Sequence, residues 1–118
     1  MNKQDRKQLF YLEDIELSIK RIQEYIAGYN FDKFLDDQKT IDAVIRNFEI
    51  IGEASKNVNK TLKSKYPQVP WNEMYYLRNK VSHEYFGIDH EIIWDLSVNY
   101  LQDNLKHIQS ILKEERKA

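Results

Sequence analysis

A chain of 118 residues is long enough for one hydrophobic core and too short for two ordinary domains, so residues 1–118 are read as a single unit. Eighteen Lys and Arg against nineteen Asp and Glu leave a formal charge of −1, which excludes a polycation that coats nucleic acid; any such contact has to be local. The absence of Cys excludes disulfides, thiolate zinc sites and cysteine nucleophiles, and 42% apolar residues with three Gly and two Pro favour an all-α protein over a many-turned β sandwich.

The opening MNKQDRKQ is too polar for a signal peptide, and no apolar run reaches spanning length; a soluble, cytoplasmic protein with no membrane contact is expected. Leu12, Ile15, Ile19, Ile22 and Ile26 then step by threes and fours along one helical face, with Gly28 and Asn30 as the stop. The aspartate-rich FDKFLDDQKT reads as a connector whose Phe31, Phe34 and Leu35 pin a single turn to the core.

A second helix is predicted from Ile41 to Leu62 through Val44, Ile45, Phe48, Ile51 and Val58, with Thr40 as its N-cap. Its later part runs into SKNVNKTLKSKY, where Lys56, Lys60, Lys63 and Lys65 occur without an acidic residue; a phosphate path and a solvated helix end explain this equally. Tyr66-Pro67 lies beyond its end. Pro70 suits the first turn of a third helix, with Met74, Leu77 and Val81 buried and Gly87 at its close.

Asp89 is positioned to cap a fourth helix through Trp94, Val98, Leu101, Leu105, Ile108 and Leu112. Four such segments predict an antiparallel four-helix bundle. The long apolar faces fit either a core or a dimer seam. Trp71, Tyr75, Tyr76, Phe86 and Trp94 are read by the same rule as core aromatics.

The end of the third helix carries LRNKVSHEYFG, an unusual concentration of Arg78, Asn79, His83 and Tyr85. Metal-free RNA cleavage needs a base for the 2′-hydroxyl, an acid for the leaving oxygen and positive charge on the phosphorane. His83 titrates in the required range, Arg78 offers a rigid cationic fork, and Asn79 and Tyr85 can bond the phosphate or fix the imidazole. One His cannot be base and acid in the same instant, so the chemistry favours a site shared across the two-fold axis of a homodimer. His90 and His107 are secondary candidates, no HxxxH pair marks a metal site, and no cofactor is called for.

In the second helix Arg46, Asn47, Glu49 and Glu53 interrupt the apolar pattern. Arg46 and Glu53 lie two turns apart on one face, where they either line a cleft and orient Arg78 or His83, or form a buried ion pair between helices. Gly52 beside them permits close helix approach.

Arg78-Asn79-Lys80-Val81-Ser82-His83-Glu84-Tyr85 resembles the R-x-x-x-x-H-x-Y signature of HEPN ribonucleases, with a polar residue directly after the arginine. AVIRNFEIIGEASKNV, Pro70-Trp71, and YFGID followed by IIWD resemble the HepT-like branch, toxin partners of small nucleotidyltransferase antitoxins. The resemblance implies a dimeric HEPN bundle that cleaves RNA without a metal, with Arg78 and His83 as the catalytic pair and Tyr85 as the tyrosine that the antitoxin adenylylates. The alternative is a noncatalytic module presenting a nucleotide or substrate to a nucleotidyltransferase; a third reading makes the polar cluster structural in a helical dimerisation protein.

Overall fold

The computed structural model describes residues 1–82 and 89–117, and the side chains of Lys80, Val81 and Ser82 lie outside that description. His83, Tyr85, Phe86 and Gly87 also fall outside it. Among the described residues there is no strand: the chain forms α1 (Lys3–Tyr25), α2 (Phe31–Leu35), α3 (Gln38–Asn57), α4 (Lys60–Lys65), α5 (Trp71–Ser82), α6 (His90–Asp95), a π-helical turn (Leu96–Tyr100) and α7 (Leu101–Arg116).

Local chemistry sets most of the boundaries. Asn2 caps α1 by accepting the Asp5 amide at 2.8 Å. Beyond Ile26 the chain turns through Gly28 at φ +78°, where a side chain would be strained, and Asn30 caps α2 from the Lys33 amide at 2.8 Å. The connector turn keeps Phe34 in the core and rests Phe31 on it, while Leu35 remains exposed, contrary to the sequence reading.

Three expected boundaries move. The cap of α3 is Asp37, not Thr40: its carboxylate accepts both the amide and the hydroxyl of Thr40, as well as the Tyr29 hydroxyl at 2.7 Å. Those donors hold the Asp37 carboxyl down at about 2, with Tyr29 the largest contributor. Pro70 stands just before α5, lending its carbonyl to the Met74 amide at 2.9 Å, so the helix begins at Trp71. The second predicted helix divides at Val58, which is extended, and Asn59 caps α4 from the Leu62 amide. Val58 and Leu62 are both buried, so the apolar spacing is blind to the break. Gln8 of α1 closes it by accepting the Asn59 amide at 2.7 Å.

The expected fourth helix starts at Asp89, which accepts the amides of Glu91 and Ile92, but it passes through the π-helical turn before reaching α7. Around that turn Ser97, Gln102 and Asn104 donate side-chain hydrogen bonds to the carbonyls of Ile93, Val98 and Tyr100, competition that loosens a regular helical ladder.

The long helices run antiparallel. Gln8 near the start of α1 meets Asn59 past the end of α3, and Glu13 meets Arg116 in the last turn of α7 at 2.9 Å. On α3 and α5, Lys56 lies by Tyr75 and Glu53 by Arg78, so rising numbers on one match falling numbers on the other. Leu12, Ile15, Ile19 and Ile22 of α1, Val44, Phe48 and Ile51 of α3, Met74 and Leu77 of α5, and Leu101, Ile108 and Ile111 of α7 form the common core. Phe31 and Phe34 tilt against Trp94 at 6.3 and 5.3 Å between ring centroids, tying the connector to α6.

Candidate active site

The apolar face of α3 is sunk in the core, and its opposite stripe, Arg46, Glu49, Glu53 and Asn57, steps by three, four and four. That stripe floors an open groove of about 440 Å³, walled by Tyr11 and Asp14 of α1 and closed at one side by Arg78 of α5. Arg46, Glu53 and Arg78 line one groove, together with Glu49, Tyr11 and Asp14. The α1 residues escaped sequence reasoning because the face that approaches α3 is known only once the helices are packed.

The Arg78 guanidinium donates to the Glu53 carboxylate. With side chains 40% and 47% exposed, the pair is an open ion pair at the groove edge, and the buried ion pair left open by the sequence is set aside. Coulombic gain between such exposed groups is small, so the pair fixes orientation more than it stabilises the fold.

Gly52 sets how near Arg78 comes. A Cβ added there would lie 2.6 Å from Arg78 Cβ and 3.1 Å from the Tyr75 carbonyl oxygen, so the α5 backbone occupies the space a methyl group would need. The packing role expected of Gly52 is therefore also what brings the arginine beside Glu53.

The other candidates separate. Asn47 is buried on the core side, its Nδ2 donating to the Ala43 carbonyl at 2.9 Å and its Oδ1 lacking a hydrogen-bond partner, and it does not line the groove. Asn79 is half-buried on the turn that carries Arg78. His90 opens α6 and His107 lies within α7, and neither lines the groove. No group of three or more His, Asp or Glu among the described residues is arranged to hold a metal ion.

Of the basic run, Lys65 is committed to Glu115 at 2.9 Å, which also accepts the Tyr66 hydroxyl. Within that cluster the hydrogen bond to Glu115 raises the Lys65 pKa, burial raises that of Tyr66, and the Tyr66 hydroxyl lowers that of Glu115. Lys63 is partly buried, which lowers its pKa, while Lys56 and Lys60 are exposed. Among the described residues no helix is long and apolar enough to cross a membrane.

The all-helical bundle is consistent with the HEPN-type fold. The model of the family described as "Ribonuclease HepT-like" matches residues 15–111, and the chain belongs to that family. A protein of Methanocaldococcus jannaschii named as a candidate RNase is 47% identical over 104 residues, 88% of this chain and 86% of that protein. A Thermococcus cleftensis protein provisionally named ribonuclease HepT is 49% identical over 84 residues, 71% of this chain and 76% of that protein. A candidate RNase of Caldanaerobacter subterraneus is 37% identical over 106 residues, 90% of this chain and 95% of that protein. No solved structure matches.

Proposed function

We propose that the protein is an endoribonuclease that cuts RNA without a metal, with Arg78 and His83 as its catalytic pair. The observation that carries the reading is the Arg78 fork held by Glu53 at the edge of the groove, five residues before His83 in the sequence. In the reaction a base removes the 2′-hydroxyl proton, the oxygen attacks the adjacent phosphorus, and the bond to the 5′-oxygen breaks as an acid protonates it. Arg78 stabilises the charge gathering on the phosphorane, and the products are a 2′,3′-cyclic phosphate and a 5′-hydroxyl.

Two His83 side chains, one from each copy of a homodimer, divide the base and acid roles. Tyr85, two residues on, is the site at which a cognate nucleotidyltransferase antitoxin adds adenylate groups from ATP. The added phosphate charge repels an RNA phosphate from the Arg78 site, so the modification silences the toxin. Asn79, Arg46 and Glu53 support the site by positioning its charged groups.

The test is incubation of wild-type and His83→Ala protein with labelled RNA in EDTA, followed by analysis of the product ends. Wild type alone is expected to leave cyclic phosphate ends, with cleavage by the variant lower by about 10²- to 10⁴-fold, the usual contribution of a general acid or base. Undiminished cleavage by a folded His83→Ala protein overturns the assignment. Incubation with the antitoxin and ATP should add adenylate to wild type and not to Tyr85→Phe.

A further inference from the structure

Three large apolar side chains stand exposed along α1: Phe10 at 61%, Leu17 at 46% and Tyr25 at 37%. With the exposed Asp14 and Arg21 between them they step by four, three, four and four, and at about 100° per residue all five fall within about 80° around the helix axis. The core takes another side of α1, through Leu12, Ile15, Ile19 and Ile22. We propose that this stripe pairs with the same stripe of a second copy, antiparallel about a two-fold axis at Leu17, and that the pairing delivers Arg21 of the second copy to Asp14 on the wall of the groove. The inference deepens the homodimer of the ribonuclease reading, and it rests on that reading only for what the groove binds.

The order of residues along the stripe selects a second copy. Phe10 and Tyr25 stand equally far to either side of the Leu17–Ser18 peptide, and so do Asp14 and Arg21. In an isologous contact residue i meets j and j meets i. An axis through that midpoint therefore sets each Asp14 against an Arg21, each Phe10 against a Tyr25, and the two Leu17 side chains side by side. Among the described residues neither Asp14 nor Arg21 has an ion pair within its own chain, so no internal contact competes for the two charges.

Other arrangements fail on charge. A parallel pairing sets Asp14 against Asp14 and Arg21 against Arg21. Sliding the antiparallel pair until Phe10 meets Leu17 brings Glu13 and Asp14 of one copy onto Asp14 and Glu13 of the other, and Arg6 onto Arg21. A contact with a different protein gives no reason for the stripe to be matched about its own centre.

The pairing also changes the groove. Its lining carries Asp14, Glu49 and Glu53 against Arg46 and Arg78, an excess of carboxylate that opposes an RNA phosphate. Arg21 of the second copy, paired to Asp14, cancels that excess, so the groove suits an anionic substrate only in the dimer.

The experiment is analytical ultracentrifugation of the full chain with charge reversals on the stripe, each variant checked by its helical circular dichroism. Asp14→Arg alone and Arg21→Asp alone each break two pairs and leave two like-charge contacts, so the dimer dissociation constant should rise by at least about tenfold. Mixed in equal amounts, the two variants should form a heterodimer, because each then meets the opposite charge on the other. The double variant, Asp14→Arg with Arg21→Asp, should dimerise as wild type does, and Leu17→Glu should lose the dimer by setting two carboxylates at the axis. A monomeric wild type overturns the proposal and leaves the stripe to another partner. Single reversals or Leu17→Glu that dimerise like wild type overturn it by assigning the dimer to another face. So do folded single reversals that stay monomeric when mixed and when combined in one chain, since the pairing of Asp14 with Arg21 is then wrong. Cleavage of RNA is scored separately: rescue of the dimer by mixing, without cleavage by wild type, ends the ribonuclease reading and leaves the pairing standing.

Discussion

The two seams of α3 are built on opposite rules. Toward the core the helix presents Ile41, Val44, Phe48 and Ile51, all but sealed from solvent, and apolar burial holds the contact. At the groove edge, where α5 passes, it presents Gly52, Glu53 and Lys56, and to the buried Met74 and Leu77 of α5 the contact there adds a missing methyl group, an open ion pair and a cation near an aromatic ring. The first seam converts buried area into stability; the second holds charged groups at fixed positions while leaving them wet, as a site for a charged substrate requires.

The sharpest way to break this contrast is Phe48→Ala. It should cost about 3–5 kcal/mol in denaturant unfolding, because a fully buried ring leaves a cavity. Next is Gly52→Ala, where the new methyl meets Arg78 Cβ and the α5 backbone: about 1–3 kcal/mol is expected, with a fall in RNA cleavage larger than the fraction unfolded explains. If Gly52→Ala lowers stability and activity in strict proportion, the seam is ordinary packing and the contrast fails.

Asn59→Ala removes the cap of α4 and should cost about 1 kcal/mol with no effect on cleavage at saturating RNA. Glu53→Gln is expected to change stability by less than about 1 kcal/mol, since the pair is exposed, yet to reduce cleavage as Arg78 loses its fixed partner. The smallest effect is one of pH. Asp37, lowered to about 2, contributes stability that is complete above the ordinary carboxylate range and lost as pH falls from about 4 toward 2, so thermal melts of Asp37→Asn should be flatter than wild type over that interval.

Much of the fold was legible because apolar spacing reports burial directly: Ile15, Ile19 and Ile22, or Met74 and Leu77, are buried as their periodicity requires. What escaped was decided by polar atoms acting across space. The break at Val58 preserves the apolar period, and the side chain that closes it, Gln8, sits fifty-one residues away. Asp37 displaced Thr40 as cap because Tyr29 and Thr40 both donate to it, a convergence that apolar spacing does not report. The π-helical turn likewise reflects side chains bonding carbonyls one turn back, which composition permits without demanding.

The site was legible in its letters and only partly in its geometry. Arg46, Glu53 and Arg78 meet at one groove, while Asn47, drawn into the same polar set, turned to the core. The aromatic rule held for Trp71 and failed for Tyr76, which lies off the buried stripe of Trp71, Met74 and Leu77.

The Gln8–Asn59 bond also gives the molecule an internal reporter. The Asn59 amide stands outside the ladders of both α3 and α4 and donates only to a side chain of α1. Its exchange with heavy water therefore follows the docking of α1 and not the winding of any helix, so its protection in a deuterium-exchange spectrum separates detachment of the first helix from global unfolding.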